Sequence, residues 1–520
     1  MYDLFKAYAL YKMCICKKKN RRKGVGMETR DDLFYKPKDA WVGDLIPYYE
    51  DGLYYGFYLH DPRHREGEYA EETTWHLITT KDFVNLTYYG EAIERGGEDA
   101  PNKNAYTGSV LKTKDGSYQV YYTAFNEKVK HNGRSVQSVM RAVGKDLYHL
   151  KTDEDFLFVA DDLLYEAFDW RDPFVFYHEE ERKYWMLLAA REKGGGSLRG
   201  GCIALCKSED LEHWTYEKPF FAPHMYVTME CPEVFFMNGW WYLVFSTFND
   251  RFVTHYRMAR DLNGPWKIPQ DDLFDARADY AIKTASDGRR RYAFGWIPSK
   301  RGNCDLGPWE WGGTMVFHEI LQNPDNGVLA VRAPEKVEDY YDQAVKQAEP
   351  QAVWCEIKAA DTGWEMDTPM YGAALIPVPT DSFYYEMEFT VEECHEFGIA
   401  LHVDEGLEKG YFLRMDPFSR QIAWDMWPRA IQGKYQWQIK GDAACQLETV
   451  RRLPEGNRFR VQILREKDIC VTYINGEVAL SMRMYDHKGG CAGLYLVQGK
   501  AQIKEFSIRV RNDENQSPSA

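Results

Sequence analysis

Three short acidic motifs stand in order along the sequence and carry residues suited to acid–base and nucleophilic chemistry. They are Gly43-Asp44-Leu45, Arg171-Asp172-Pro173 and Glu230-Cys231-Pro232. Each opens or closely precedes a stretch of aromatic and apolar residues that is typical of a β-strand. Cleavage of a glycosidic bond needs an acid for the leaving oxygen and a second carboxylate as base or nucleophile. The motifs therefore indicate one glycosidase site where the starts of several β-repeats meet.

The elements that must position these carboxylates form a repeating pattern of aromatic strand pairs. Its copies begin near Tyr48, Gly108, Asp172, Pro232 and Tyr280. Their spacing of roughly 50 to 65 residues fits a four-stranded propeller blade. Asp-Gly pairs between the strands indicate hairpin turns, and no long helical periodicity interrupts the pattern. The sequence therefore predicts an all-β fold that begins with a five-bladed β-propeller.

The pattern changes after about residue 340, where alternating strands and a tight Asn475-Gly476 hairpin predict a C-terminal β-sandwich. The predicted organisation is a disordered basic extension over 1–30, the catalytic propeller over 31–340, a connector over 341–379, the sandwich over 380–510 and a polar tail over 511–520.

Composition restricts the classes of partner. The net charge of −15 argues against nucleic acid as a partner. The 16 Trp and 36 Tyr suit strands, and their ring faces suit packing on the C–H faces of sugars. The 11 Cys lack zinc spacing and are expected to be free thiols in a reducing cytoplasm. We expect a carbohydrate substrate, no metal or organic cofactor, and a monomer or homodimer.

The N-terminal segment differs from a secretory signal. Met1–Cys16 is mildly amphipathic and is followed by the basic run Lys17–Lys23, which reverses the order of a signal peptide. Met27 is an alternative start, and binding of the basic run to an anionic surface is an alternative role. No run of 18 apolar residues predicts a membrane span. We expect a cytoplasmic protein.

Four segments, in their order along the chain, resemble glycoside hydrolase family 32, which contains invertases, levanases and inulinases. They are Trp41-Val42-Gly43-Asp44, Tyr106-Thr107-Gly108-Ser109, Arg171-Asp172-Pro173 and Glu230-Cys231-Pro232. Each motif is weak alone, whereas their order and spacing are specific. The resemblance extends over about residues 35–510 and implies a five-bladed propeller followed by a β-sandwich.

The resemblance also implies roles for the carboxylates. Asp44 would be the nucleophile, Asp172 the transition-state stabiliser and Glu230 the acid/base. A carboxylate can form a covalent glycosyl-enzyme, and burial beside other carboxylates raises the pKa of an acid such as Glu230. The expected substrate-binding residues are Trp41, His60, Tyr106, Thr107, Ser109, Arg171, Cys231 and Trp296. Core or structural positions stay open as alternatives, above all for the tryptophans, Cys231 and His60.

The sequence departs from the family pattern at two places. Gly43 stands where the family has an Asn that contacts the sugar, and Leu59, beside His60, stands near a usual Gln. Ordinary sucrose specificity is therefore not expected. The interpretation is a retaining, exo-acting β-fructofuranosidase-like hydrolase that cleaves terminal fructosyl or related furanosyl units through a covalent glycosyl-enzyme. The alternatives are an inverting arabinofuranosidase or xylosidase, a fructosyltransferase, and a catalytically silent carbohydrate-binding propeller.

Overall fold

The computed structural model describes residues 28–30, 33–63, 72–346, 348–428 and 450–512. Nearly all of the predicted extension over 1–30, and residues 513–520 of the tail, lie outside these ranges. Within them every regular element is a strand except the short 3-10 turn Val337–Tyr340. No helix in the described ranges is long and apolar enough to cross a membrane.

The first part of the chain forms five antiparallel blades, which confirms the predicted propeller. Blade I comprises β1 (Glu28–Arg30), β2 (Trp41–Glu50), β3 (Leu53–Asp61), β4 (Thr74–Thr80) and β5 (Leu86–Ile93). Blade II comprises β6 (Asn104–Lys112), β7 (Tyr118–His131), β8 (Arg134–Gly144) and β9 (Lys151–Phe158). Blade III comprises β10 (Tyr165–His178), β11 (Lys183–Glu192), β12 (Gly201–Ser208) and β13 (Trp214–Tyr216).

Blade IV comprises β14 (Glu230–Met237), β15 (Trp240–Thr247) and β16 (Val253–Ala259), and blade V comprises β17 (Tyr280–Ser286), β18 (Arg291–Lys300), β19 (Trp309–Gln322) and β20 (Leu329–Arg332). The first strand of each blade contacts the first strand of the next, in the ring β2–β6–β10–β14–β17–β2. The ring is closed by one backbone pair between Gly313 of β19 and Val42 of β2. The five inner strands thereby surround a shared centre.

The second part of the chain is the predicted sandwich. Its strands are β21 (Gln343–Ala344), β22 (Gln351–Val353), β23 (Glu356–Ala359), β24 (Trp364–Pro377), β25 (Phe383–Glu392), β26 (Glu396–Val403), β27 (Gly410–Asp416), β28 (Gln421–Trp427), β29 (Arg451–Arg452), β30 (Arg458–Glu466), β31 (Ile469–Ile474), β32 (Val478–Arg483) and β33 (Cys491–Val510). The 20-residue β33 joins both layers, since its first half pairs with β26 and its second half with β25. Asn475 and Gly476 both have positive φ, as their tight hairpin requires.

Residues 341–379 differ from the expected connector. They contain β21 to β24, and β24 pairs with β33 from Trp364 to Pro377. The segment therefore belongs to the sandwich. Its prolines and exposed polar residues obscured the alternation that edge strands of a sheet still carry.

Propeller and sandwich are joined by buried polar contacts as well as by one continuous apolar core. The guanidinium of Arg483 donates to the carbonyl oxygen of Ile297 at 2.9 Å and to the hydroxyl of Thr314 at 2.8 Å. Arg451 donates to the carbonyl oxygen of Phe274 at 3.2 Å. Because each arginine belongs to the sandwich and each acceptor to the propeller, the contacts fix the two parts against each other.

A buried ionic cluster adds to this interface. His318 Nε2 lies 2.9 Å from Asp279 Oδ2 and 3.2 Å from Asp275 Oδ2, and its Nδ1 lies 2.8 Å from the hydroxyl of Tyr473. Ser481 donates its backbone N–H to Asp275 at 2.8 Å. Despite burial, its hydrogen bonds to the two aspartates raise the pKa of His318 to about 9, so the imidazole is cationic at neutral pH.

Candidate active site

A β-bulge interrupts each inner strand of the propeller. The register shifts lie between Val42 and Leu45, Ala105 and Gly108, Arg171 and Phe174, Glu230 and Glu233, and Tyr280 and Lys283. A bulge adds an unpaired residue, bends the strand and re-aims its side chains. Asp44 and Asp172 are bulge residues, and Glu230 is the last paired residue before its bulge. Each of the three sequence motifs thus places a carboxylate at a β-bulge, in blades I, III and IV.

Cys231 connects two of the carboxylates at the centre of the ring. Its backbone N–H donates to Asp172 Oδ2 at 2.9 Å, and its thiol lies 3.6 Å from Asp44 Oδ2. The backbone of Asp172 has φ 58° and that of Cys231 has φ 51°, a conformation that non-glycine residues adopt at an energetic cost. In this conformation the Cys231 N–H points toward Asp172. Cys231 therefore orients the site through its backbone as well as through its thiol.

Arg171 and Tyr280 hold the third carboxylate. Arg171 Nη2 donates to Glu230 Oε1 at 3.1 Å, and the hydroxyl of Tyr280 donates to Glu230 Oε2 at 2.6 Å. Arg171 also forms an ion pair with Asp169 and lies 3.8 Å from Asp172. The guanidinium offsets part of the negative charge that the carboxylates bring together.

The electrostatics of the cluster favour retention of a proton. Burial, followed by repulsion from Asp172 and Glu230, raises the pKa of Asp44 to about 7. Burial also raises the pKa of Glu230 against the opposing effect of Arg171. A set of carboxylates that shares a proton near neutral pH can supply one acid and one carboxylate, as glycosidic cleavage requires.

Two tryptophans line the side of Asp44. Trp296 Nε1 donates to Asp44 Oδ1 at 3.0 Å, and the ring of Trp311 packs edge-on against Trp296 with centroids 5.7 Å apart. The Trp311 ring fills the space beside Gly43, where a Cβ would overlap it and would lie 3.1 Å from the Cβ of Leu59. Gly43 and Leu59, the two residues that depart from the family pattern, thus lie beside the indole of Trp311. Together these three residues form a surface that we call the apolar wall.

A cavity of about 570 Å³ opens over Arg171. Its lining includes Phe125, Phe168 and Phe248, and the guanidinium of Arg134 lies 3.4 Å from the ring centre of Phe168. Aromatic faces and a few polar groups are typical of small-molecule and sugar sites.

The predicted residues of blade II lie beside this centre. Tyr106 stacks on Phe125 with ring centroids 5.8 Å apart. Thr107 is fully buried, and its carbonyl oxygen accepts the hydroxyl of Thr123, which in turn accepts the Asp172 N–H at 2.8 Å. Ser109 accepts the backbone N–H of Val175 at 2.9 Å. Thr107 and Ser109 thus fasten blade II to the strand of Asp172, and their contact with substrate stays a prediction.

Two predicted residues contact other groups. Trp41 lies under the guanidinium of Arg63 at 4.0 Å. His60 stacks on His76 with ring centroids 3.9 Å apart, and burial lowers the pKa of His60, which keeps it neutral at pH 7. Neither residue has a described contact with Asp44, Asp172 or Glu230, and their role in substrate binding stays a prediction.

Sequence reasoning missed Tyr280. Tyr280-Ala281-Ile282 occupies in β17 the place of Glu230-Cys231-Pro232 in β14, and Ala281 has φ 53°. Alignment of the fifth repeat with the fourth places Tyr280 at the position of Glu230, and this match is the sequence signal for its role.

One group in the described ranges has metal-ligating geometry, namely Asp275, Asp279 and His318. His318 Nε2 already bonds both carboxylates, and the raised pKa of about 9 keeps its imidazole protonated at neutral pH, so the trio is a cluster held by the ion pair of His318 with Asp275. Asp44, Asp172 and Glu230 are not part of it.

Comparison with known proteins identifies the family. The model of the glycosyl hydrolases family 32 N-terminal domain matches residues 34–330. The chain belongs to this family. It is therefore a glycoside hydrolase.

Relatives of this family 32 enzyme include the levanbiose-producing levanase of Bacillus subtilis (strain 168). The two are 26% identical over 440 residues, which are 74% of this chain and 75% of that protein. Fructan 1-exohydrolase IIa from Cichorium intybus has a similar fold, with a TM-score of 0.68 at 14% identity over 95% of this chain and 98% of that chain. Exo-inulinase from Aspergillus awamori aligns with a TM-score of 0.65 at 16% identity over 92% and 98% of the two chains.

Two of the hydrogen-bond donors in this family 32 site, Trp296 and Tyr280, should help to set the limbs of its pH profile. The indole of Trp296 favours ionised Asp44, so Trp296→Phe should raise that pKa and move the acidic limb of kcat/KM upward by about one pH unit. The hydroxyl of Tyr280 favours ionised Glu230, so Tyr280→Phe should raise that pKa and move the basic limb upward by about as much. Limbs that stay in place, or move to lower pH, contradict this electrostatic arrangement.

Proposed function

We propose that the protein cleaves terminal fructosyl units from fructans with retention of configuration, through a covalent glycosyl-enzyme. The observation that carries the proposal is the meeting of Asp44 and Glu230 around Cys231 and Arg171 in a family 32 propeller. The levanase relative and the fructan-cleaving structural neighbours support fructans as the substrate class.

In the first step ionised Asp44 attacks the anomeric carbon while Glu230 donates its proton to the leaving oxygen. In the second step Glu230, now ionised, takes a proton from water, and the hydroxide oxygen displaces Asp44. Each turnover returns both groups to their starting protonation states. Tyr280 and Arg171 stabilise the ionised form of Glu230 between the steps.

Asp172 and Arg171 would bind hydroxyl groups of the fructosyl ring, contacts that tighten as positive charge develops on it. The cavity over Arg171 would hold the departing part of the chain, with Phe125, Phe168 and Phe248 as stacking surfaces. We also propose a reducing, cytoplasmic setting, because the cysteines of the described ranges are free thiols.

Trapping the intermediate with methanol tests the reaction. A retaining enzyme transfers the fructosyl group to methanol with the configuration of the substrate, and NMR of the methyl fructoside identifies the anomer. The retained anomer is expected. The opposite anomer would favour the inverting alternative, and consumption of the substrate without solvent transfer or hydrolysis would contradict both.

Sucrose should be a poor substrate. The wall of Gly43, Leu59 and Trp311 offers no polar side-chain group where typical family members read sugar hydroxyls. Each buried hydroxyl left unpaired costs about 1 to 3 kcal/mol, and about 1.4 kcal/mol corresponds to tenfold. We expect kcat/KM on sucrose to be at least about tenfold below that on the best of levan, inulin and short fructosides. Sucrose as the best substrate would show that the wall does not determine specificity.

Substitutions in the apolar wall provide a matched control for this prediction. Gly43→Asn alone should impair the enzyme, because even its Cβ overlaps the Trp311 ring. Gly43→Asn combined with Trp311→Ala removes the overlap and should raise the ratio of sucrose to levan activity above that of Trp311→Ala alone.

A further inference from the structure

A row of aromatic side chains crosses the outer face of one sandwich layer, far along the chain from the catalytic motifs. Trp354 lies between β22 and β23, Tyr371 on β24, Tyr495 on β33 and Phe412 on β27. Successive ring centroids are 6.3, 5.9 and 5.7 Å apart. These residues line a cavity of about 590 Å³. Tyr495 and Phe412 are buried at its base, so a ligand that enters the cavity meets the exposed ring of Trp354 and the half-buried ring of Tyr371.

Trp354 is held in an unfavourable position. Its indole is 64% exposed, and its backbone has φ 55°, which is an outlier for a bulky residue. Its carbonyl oxygen accepts the hydroxyl of Thr368 at 3.3 Å and would lie 2.9 Å from a Cβ at position 372, so Gly372 is what lets the loop approach β24. Folding alone favours neither the exposure of a large apolar ring nor a strained backbone. Their combination at Trp354 is therefore a sign of function.

The other end of the cavity carries charged side chains that are bonded to one another. Arg414 Nη2 donates to Glu396 Oε2 at 2.7 Å, the hydroxyl of Tyr495 donates to Glu396 Oε1 at 3.1 Å, and Arg414 Nη1 lies 3.4 Å from Asp425. Arg414 is shared between Glu396 and Asp425, and Glu408 also lines the cavity, so the site has no excess of positive charge that would attract an anion. Glu396 and Arg414 both line the cavity, where their polar atoms suit a neutral ligand with many hydroxyl groups better than an anionic one.

We propose that this cavity is a second carbohydrate-binding site, at which the rings of Trp354 and Tyr371 stack on sugar units of a neutral fructan chain while Glu396 and Arg414 bond its hydroxyls. The identity of the sugar rests on the proposed function, since a fructan is the polymer that the propeller would cleave. Binding at the sandwich keeps the polymer on the enzyme between cleavages, because a tethered chain returns to the catalytic site at a high effective concentration.

Trp354→Gly is the informative variant, because glycine accepts a positive φ and removes the ring. It should melt at the same temperature as the wild type or higher. In the Asp44→Ala background, native gel electrophoresis through levan or inulin should show affinity at least about tenfold weaker than that of the same background with Trp354. Phe236→Ala, which removes an exposed ring from β14, is the matched control and should bind as the parent does.

With Asp44 intact, Trp354→Gly should keep its kcat/KM on a short fructoside and lose several-fold on the polymer. Fructan binding that depends on Trp354 without any fructan cleavage supports the sandwich site and refutes the proposed function. Cleavage with polymer binding insensitive to Trp354 refutes the sandwich site alone. Absence of fructan binding, or a dimer that Trp354→Gly dissociates without any effect on fructan affinity, also overturns the proposal.

Discussion

Asp44→Ala and Glu230→Ala should each lower turnover on the natural substrate by at least about a thousandfold, because the covalent route uses both groups in both steps. Loss of Asp44 removes the attacking oxygen and leaves Trp296 and Cys231 without their shared acceptor. Loss of Glu230 removes the proton for the leaving oxygen and leaves Arg171 and Tyr280 facing each other. Steady-state kinetics with purified variants of matched melting temperature provides the measurement.

The two variants should differ on a substrate with an activated leaving group. Glu230→Ala should recover part of its first step there, because such a group departs without protonation, whereas Asp44→Ala should not. Glu209→Ala, at a side chain 78% exposed on the propeller surface, is the control and should be indistinguishable from wild type. Near-normal turnover of either catalytic variant would show that the carboxylate roles are assigned incorrectly.

His318→Gln should destabilise the protein by about 3 to 5 kcal/mol at pH 6, because it leaves the buried Asp275 carboxylate without its cation, whereas Asp279, whose pKa is raised to about 7, is mostly protonated at this pH. The pKa of His318 is raised to about 9 from its usual 6.5, so its stabilisation is complete below pH 6.5 and is lost as the pH rises through 9. The deficit of the variant should therefore be large at pH 6 and small at pH 10.

Thermal or denaturant unfolding at the two pH values measures this difference. His213→Gln changes a side chain that is 90% exposed and serves as the control, with an expected effect within about 0.5 kcal/mol. If His318→Gln unfolds like the wild type at pH 6, the cluster does not hold propeller and sandwich together.

The fold and the three carboxylates could be predicted from the sequence because both repeat locally. Strand alternation, Asp-Gly turns and the motifs at blade starts lie within short windows, and a bulge needs only a few residues to form. The same repeat contains Tyr280, but a tyrosine at the start of a strand resembles an ordinary core residue and gives no signal of a contact with Glu230. The strands of residues 341–379 could not be predicted, because β24 is stabilised by pairing with β33, which lies more than 100 residues later in the chain.

The apolar wall could not be derived from the sequence at all. Gly43 signals only a missing side chain, and Trp311 lies in a different blade with no local pattern that relates the two. Their contact exists because β19 returns to β2 when the ring closes. The same holds for the sandwich cavity, in which a loop, five strands and a turn meet through tertiary packing.

Ring closure also implies an order of events during folding. Blades II to IV pair mainly between neighbours in sequence, but the Gly313 to Val42 pair joins the first and last blades and must overcome the entropy of closing a very long loop. Asp172 and Glu230 can be in place before that step, whereas Asp44 meets Trp296 and Trp311 only after it. On this order the surroundings of Asp44 are the last part of the site to form, and a chain that ends before β19 should fold into blades without a complete centre.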